Sequence, residues 1–133
     1  MIKLTTNDIT VSAESFYQAE YSEPEADKYI FAYRIRISNE SAETVQLLSR
    51  KWRVVEGDGK EHLIEGEGVI GQQPIIDPGK SHVYMSWVQM NTPMGSMEGY
   101  YEFRRNWEVD PQLEERFRVE VPKFTHWLPE LAN

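Results

Sequence analysis

The sequence predicts an all-β domain, a two-layer antiparallel sandwich of about seven strands, and three features point there. Short runs of alternating apolar and polar residues recur along the chain, the period of a half-buried strand. Turn signals rich in glycine, proline and aspartate separate them at regular spacing. No stretch carries the periodicity of a long amphipathic helix. A chain of 133 residues suits a single domain, 1–133, with a core over about 8–124 and an apolar tail over 125–133.

Residues 8–16 open the pattern, alternating through Ala13. Residues 20–28 are acidic and carry Pro24, which reads as a loop. The clearest strand follows over 29–37. Tyr29, Phe31, Tyr33, Ile35 and Ile37 share one face and Arg34 and Arg36 the other; a helix would scatter those five apolar residues. After a polar connector, residues 45–56 form another strand anchored by Trp52 and Val54. Arg50 has the same parity as Trp52. Either a bulge near Leu47 and Leu48 re-aims it, or it is a partly buried arginine needing a carboxylate or carbonyl partner. Gly57, Asp58 and Gly59 close a turn, and His62 to Ile64 lead into the most unusual stretch.

Residues 66–79 hold four of the eight glycines and two of the seven prolines. Gly66, Gly68 and Gly71 have the spacing of a dinucleotide fingerprint, but Gln72, Gln73 and Pro74 follow where a helix must begin. The stretch therefore reads as a bulged or kinked strand approached closely by neighbouring backbone. A backbone nest for an anion is the sharper reading. Residues 83–88 resume as a strand, with Val83, Met85 and Trp87 opposite Tyr84, Ser86 and Val88. Residues 91–97 form a loop, 99–103 and 117–121 two further strands, and Pro111 opens a short helical turn.

The absence of cysteine removes disulfides and thiolate metal sites and suits a reducing compartment, so a cytoplasmic location is expected. The formal charge of −8 disfavours nucleic acid, and no apolar run is long enough for a membrane span or a leader. His62, His82 and His126 are isolated, so no metal site and no cofactor are expected. Serines 49, 81, 86 and 96 lack the setting of a nucleophile, which makes a non-enzymatic role the expectation. Two surfaces invite binding. Arg34 and Arg36 project from one strand and Lys51 and Arg53 from the next; if those strands pair, the four cations share one outer face. Met90, Pro93, Met94 and Met97, followed by Tyr100, either cap one end of the core or form an adaptable apolar surface for a protein partner.

Three ordered motifs then become recognisable: residues 45–52, residues 66–74 with Pro78 and Gly79, and residues 92–101. Together they resemble the ApaG family over about residues 9–124. The resemblance implies a sandwich of the immunoglobulin and fibronectin-type-III kind. It also implies a link by name to cobalt and magnesium efflux or tolerance in bacteria, and protein–protein contact where similar eukaryotic domains are attached to F-box and polymerase-delta-interacting proteins. It names no catalytic residue. Ser49, Arg50, Trp52, Gly66, Gly68, Gly71, Gln73, Pro74 and Gly99 fall on family-typical positions. Lys51 stands where members often carry histidine, and residues 104–116 look longer than the usual connection. The expected function is a protein-binding module, with a homodimer through an edge strand or the C-terminal tail. The alternative is a binder of phosphate, pyrophosphate or a nucleotide-like anion through Arg50 and the glycine stretch.

Overall fold

The computed structural model describes residues 1–129, which form nine strands: β1 Ile2–Thr6, β2 Ile9–Tyr17, β3 Tyr29–Asn39, β4 Val45–Glu56, β5 Glu61–Glu67, β6 Ile75–Ile76, β7 Ser81–Met90, β8 Met94–Arg105 and β9 Glu115–Trp127. One antiparallel sheet runs β1-β2-β3-β7, and the other runs β5-β4-β8-β9 with β6 beside β4. The sandwich is as expected, with nine strands in place of seven. The two unforeseen strands carry little pattern. β1 is mostly exposed, and β6 is two residues held against Val45 and Gln46.

The inner faces follow the alternation closely. Tyr29, Phe31, Tyr33, Ile35 and Ile37 of β3 are all buried, while Arg34 and Arg36 point out. On β4 the parity changes part-way: Val45 and Leu47 are buried, then Trp52 and Val54. A register shift against β8 between Leu47 and Ser49 accounts for the change, since one extra residue moves every later side chain to the other face. Trp52 then sits between the layers, within ring contact of Tyr33, Tyr101 and Phe124.

β1 and β2 pack along β9, and Asn7 Nδ2 donates to the Arg118 carbonyl at 2.9 Å. That side of the sandwich is closed, leaving β5 and β7 as the open edges. The short helical turn is present at Pro111–Leu113, capped by the Asp110 carboxylate accepting from Gln112 N. The tail departs from expectation: β9 continues to Trp127, His126 is fully buried, and Leu128 N donates to the Pro93 carbonyl at 2.8 Å. Residues 125–127 are thus part of the sheet; residues 130–133 lie outside those described. Among the described residues, no helix is long and apolar enough to cross a membrane.

His126 is an unusual core residue. The rings of Phe31, Tyr33 and Phe124 surround it, Ser15 Oγ shares a 2.5 Å hydrogen bond with Nδ1, and Nε2 has no partner. Burial pushes its pKa down to about 4, so the ring is neutral in the folded protein. An unfolded histidine titrates near ~6.5. Between those values the unfolded chain binds the extra proton, so stability falls as pH drops from ~6.5 towards 4. Urea unfolding across that window should show wild type losing up to roughly 3 kcal/mol more than His126→Leu. Parallel pH profiles for the two proteins would count against a neutral buried ring.

Candidate functional site

The glycine stretch folds into a small hairpin clasped to the β4 bulge. The Leu48 carbonyl, turned out of the ladder, accepts from Gly68 N at 2.8 Å and from Gln73 Nε2 at 2.9 Å. Leu47 N donates to the Pro74 carbonyl at 3.1 Å, and Gln46 Nε2 to the Gln73 carbonyl at 3.1 Å. Val69 and Gln72 exchange two backbone bonds and bury Val69 in the core. Between them Ile70 and Gly71 both have positive φ, the requirement of a type I′ turn. Ile70 is a β-branched residue in the left-handed region, and it is exposed.

Of the two readings of Arg50 the second holds: it is a partly buried arginine with carbonyl partners. The bulge is present but precedes it, so Arg50 keeps the inward parity of Trp52, and its guanidinium lies over Gly66, the residue facing it on β5. Nη1 donates to the Gly68 carbonyl at 2.8 Å and the Glu67 carbonyl at 3.2 Å; among the described residues it has no carboxylate partner. Tyr33, Tyr84 and Tyr101 lie within its field. Burial pushes all three hydroxyls above the usual phenol range, so they stay neutral, and those of Tyr84 and Tyr101 are hydrogen-bonded to each other.

As an anion nest the stretch is poorly arranged. The amides of Gly68, Val69 and Gln72 already donate to protein carbonyls, and Arg50 is turned to carbonyls as well. The shallow outer groove beside Gly66 carries Glu65, Glu67 and Glu102 against Arg50 and Lys51. The four-cation face does not form either. β3 and β4 belong to different sheets, so Arg34 and Arg36 lie on one outer surface and Lys51 and Arg53 on the opposite one. Glu14 pairs with Arg34, Glu61 and Glu98 with Arg53, and Glu65 with Lys51.

The methionine surface is also rearranged. Met90 and Met97 are fully buried core residues, because β7 and β8 reach further into this loop than the sequence suggests. Pro93, Met94 and Tyr100 remain half-buried. The turn between the strands is fixed by buried Glu56, whose carboxylate accepts from Asn91 N at 2.5 Å and Thr92 N at 3.1 Å and meets His62 Nε2 at 2.6 Å. Arg118 covers the Tyr100 ring at 4.1 Å.

The alternation of residues 83–88 identifies β7 as a strand but not as an open edge. Val83, Met85 and Trp87 point outward from this edge strand, 48%, 51% and 52% exposed. Tyr21 stands edge-on to Trp87 at 5.4 Å and extends the apolar stripe. The ten residues of β7 include no Asp, Glu, Lys, Arg, Pro or Gly, and the β3–β7 register is unbroken from Tyr29–Met90 to Ser38–Ser81. β5, the other open edge, carries Glu61, Glu65 and Glu67. Charge on an edge strand repels an added strand; β7 lacks that protection. The missing signal was sheet order: the alternation of residues 83–88 does not say which face is covered.

A family model described as the ApaG domain matches residues 19–116. The Protein ApaG of Vibrio vulnificus is 42% identical over 125 residues, covering 94% of each chain. That of Pectobacterium atrosepticum is 40% identical over 125 residues, covering 94% of this chain and 95% of its own. The chain belongs to the ApaG family. The crystal structure of an ApaA protein from Bordetella pertussis superposes with a TM-score of 0.85 at 32% identity, covering 97% of this chain and 98% of that one.

The ApaG-typical positions acquire structural reasons here. Gln73, Pro74 and Gly68 clasp the bulge, Arg50 needs Gly66 bare, and a Cβ on Gly99 would meet the Lys51 carbonyl at 2.0 Å. A Cβ on Gly68 would meet the Gln72 carbonyl at 2.0 Å, whereas Gly71 faces open space. Gly68→Ala and Gly99→Ala should therefore each cost more than about 3 kcal/mol in urea unfolding. Gly71→Ala, limited to its positive φ, should cost about 1 kcal/mol. Equal losses at all three positions would refute the close-approach account.

Proposed function

We propose that this ApaG-family chain is a non-catalytic protein-interaction module whose docking surface is the outward side of β7. The observation that carries the reading is an uncharged, unbulged open edge bearing Val83, Met85 and Trp87, on a chain that charges its other open edge. Backbone groups on such an edge supply directional hydrogen bonds, and alternate side chains supply specificity. Trp87 with Tyr21 provides the large aromatic anchor that dominates interface energetics. A serine–histidine contact does exist at Ser15 and His126, but the ring is enclosed in the core, its Nε2 meets no acid, and substrate has no approach to it. Among the described residues no group of three or more His, Asp or Glu is placed to hold a metal ion. A role in cobalt or magnesium tolerance would then run through the partner. A cysteine-free chain suits the reducing cytoplasm for this work.

Trp87→Lys should abolish capture of a protein partner from native lysate while leaving the melting temperature within a few degrees, because the residue is half exposed. Met94→Lys, on the methionine turn, should leave capture intact. Loss with Met94→Lys and retention with Trp87→Lys would move the docking surface to the turn. The anion reading has less support, given the occupied amides and the neighbouring glutamates. Pyrophosphate titration should give no saturable rise in melting temperature; a saturable rise lost in an Arg50 variant would reinstate that reading.

A further inference from the structure

We infer that the occupant of the β7 edge is a second copy of this chain, paired antiparallel through β7 about a two-fold axis, so that the two four-stranded sheets become one continuous sheet. The inference rests on the docking surface proposed above and adds the identity of what docks. β7 has β3 on one side and no strand on the other among the described residues. With no ionised side chain along its ten residues, two copies can lie side by side without opposing like charges.

The pleat fixes the geometry further. Residues facing each other across an antiparallel pair lie on the same face, so Val83, Met85 and Trp87 can meet only one another or the outward Ser81 and Gln89. A two-fold centred on Met85 sets Val83 against Trp87 of the second copy and joins two half-exposed stripes into one apolar strip. The isologous contact of such an axis requires a self-complementary surface.

Charge supplies that complementarity. At the Val83 end lie Lys80, one residue before the strand, and Arg36, which faces Val83 from β3 and has no carboxylate partner among the described residues. Asp77 and the exposed Glu40, next to the Asn39 that bonds Lys80, lie at the same end, and Arg34, paired with Glu14, faces Met85. The Trp87 end is flanked by the segment carrying Tyr21, which holds Glu20, Glu23, Glu25 and Asp27 against Lys28 alone. Antiparallel pairing brings the basic end of each copy towards the acidic end of the other. A parallel arrangement would set like against like.

The chain has no cysteine, so single-cysteine variants read the contact directly. Val83→Cys, Met85→Cys and Trp87→Cys are compared with Leu63→Cys, an exposed position on the β5 edge. Light scattering on wild type at high micromolar concentration should give twice the monomer mass, and Met85→Lys should halve it with unfolding still cooperative. One of the three β7 positions should form an intermolecular disulfide at least ~10-fold faster than Leu63→Cys, since pairing holds thiols at millimolar effective concentration. Its identity gives the register. Monomeric wild type with no position faster than the control would overturn the dimer. If Trp87→Lys still abolishes partner capture in that case, the interaction reading survives; if it does not, both fall.

Discussion

One carbonyl oxygen, that of Leu48, holds the distinctive part of this sandwich in place. The extra residue in β4 turns it out of the ladder, where it would lack a partner; Gly68 N and Gln73 Nε2 supply two. Each bond contributes only about 1 kcal/mol net, and the two together tie the bulge to the hairpin, so the two stabilise each other. The same slip sets the inward parity of Trp52 and Arg50. Arg50 in turn needs a bare Gly66 beneath it and finds the Gly68 carbonyl beyond. The motif that mimics a dinucleotide fingerprint is a device for closing a β-bulge.

How much of this was legible follows from the range of each interaction. Period-two alternation is local, so β2, β3, β4, β7 and the middle parts of β8 and β9 could be read directly, and the five inward residues of β3 were right to the residue. The bulge near Leu48 and the carbonyl partner of Arg50 were readable as alternatives because Arg50, a charged residue, shares the inward parity of Trp52. Sheet order is not local. The assumption that β3 and β4 pair placed four cations together, whereas the chain crosses between layers at residues 40–44 and separates them. Burial of Met90 and Met97 likewise depends on what lies opposite, so composition left core cap and partner surface both open.

The polar interior shows a similar economy. Glu56, Asn39 and His126 are the buried polar residues among those described, and each terminates or fastens something. Glu56 holds the β7–β8 turn, and Asn39 bonds to the Ile76 and Glu43 carbonyls and to Ser41. His126 differs. It spends one nitrogen on Ser15 and leaves the other unpaired among aromatic rings, a cost of about 1–3 kcal/mol that packing around the ring must offset.

The two open edges explain where the rest of the molecule directs its charge. A chain with 22 acidic residues against 14 basic ones has ample means to protect both. On β5 it does so: Glu61, Glu65 and Glu67 stand along the strand, neutralised in part by Lys51 and Arg53 but still hostile to an incoming backbone. On β7 every outward position is apolar or uncharged, and the charges that bear on it stand on the neighbouring β3 and beyond its two ends. An edge strand left uncharged on so acidic a chain is the contrast on which the proposed pairing with another β-strand rests.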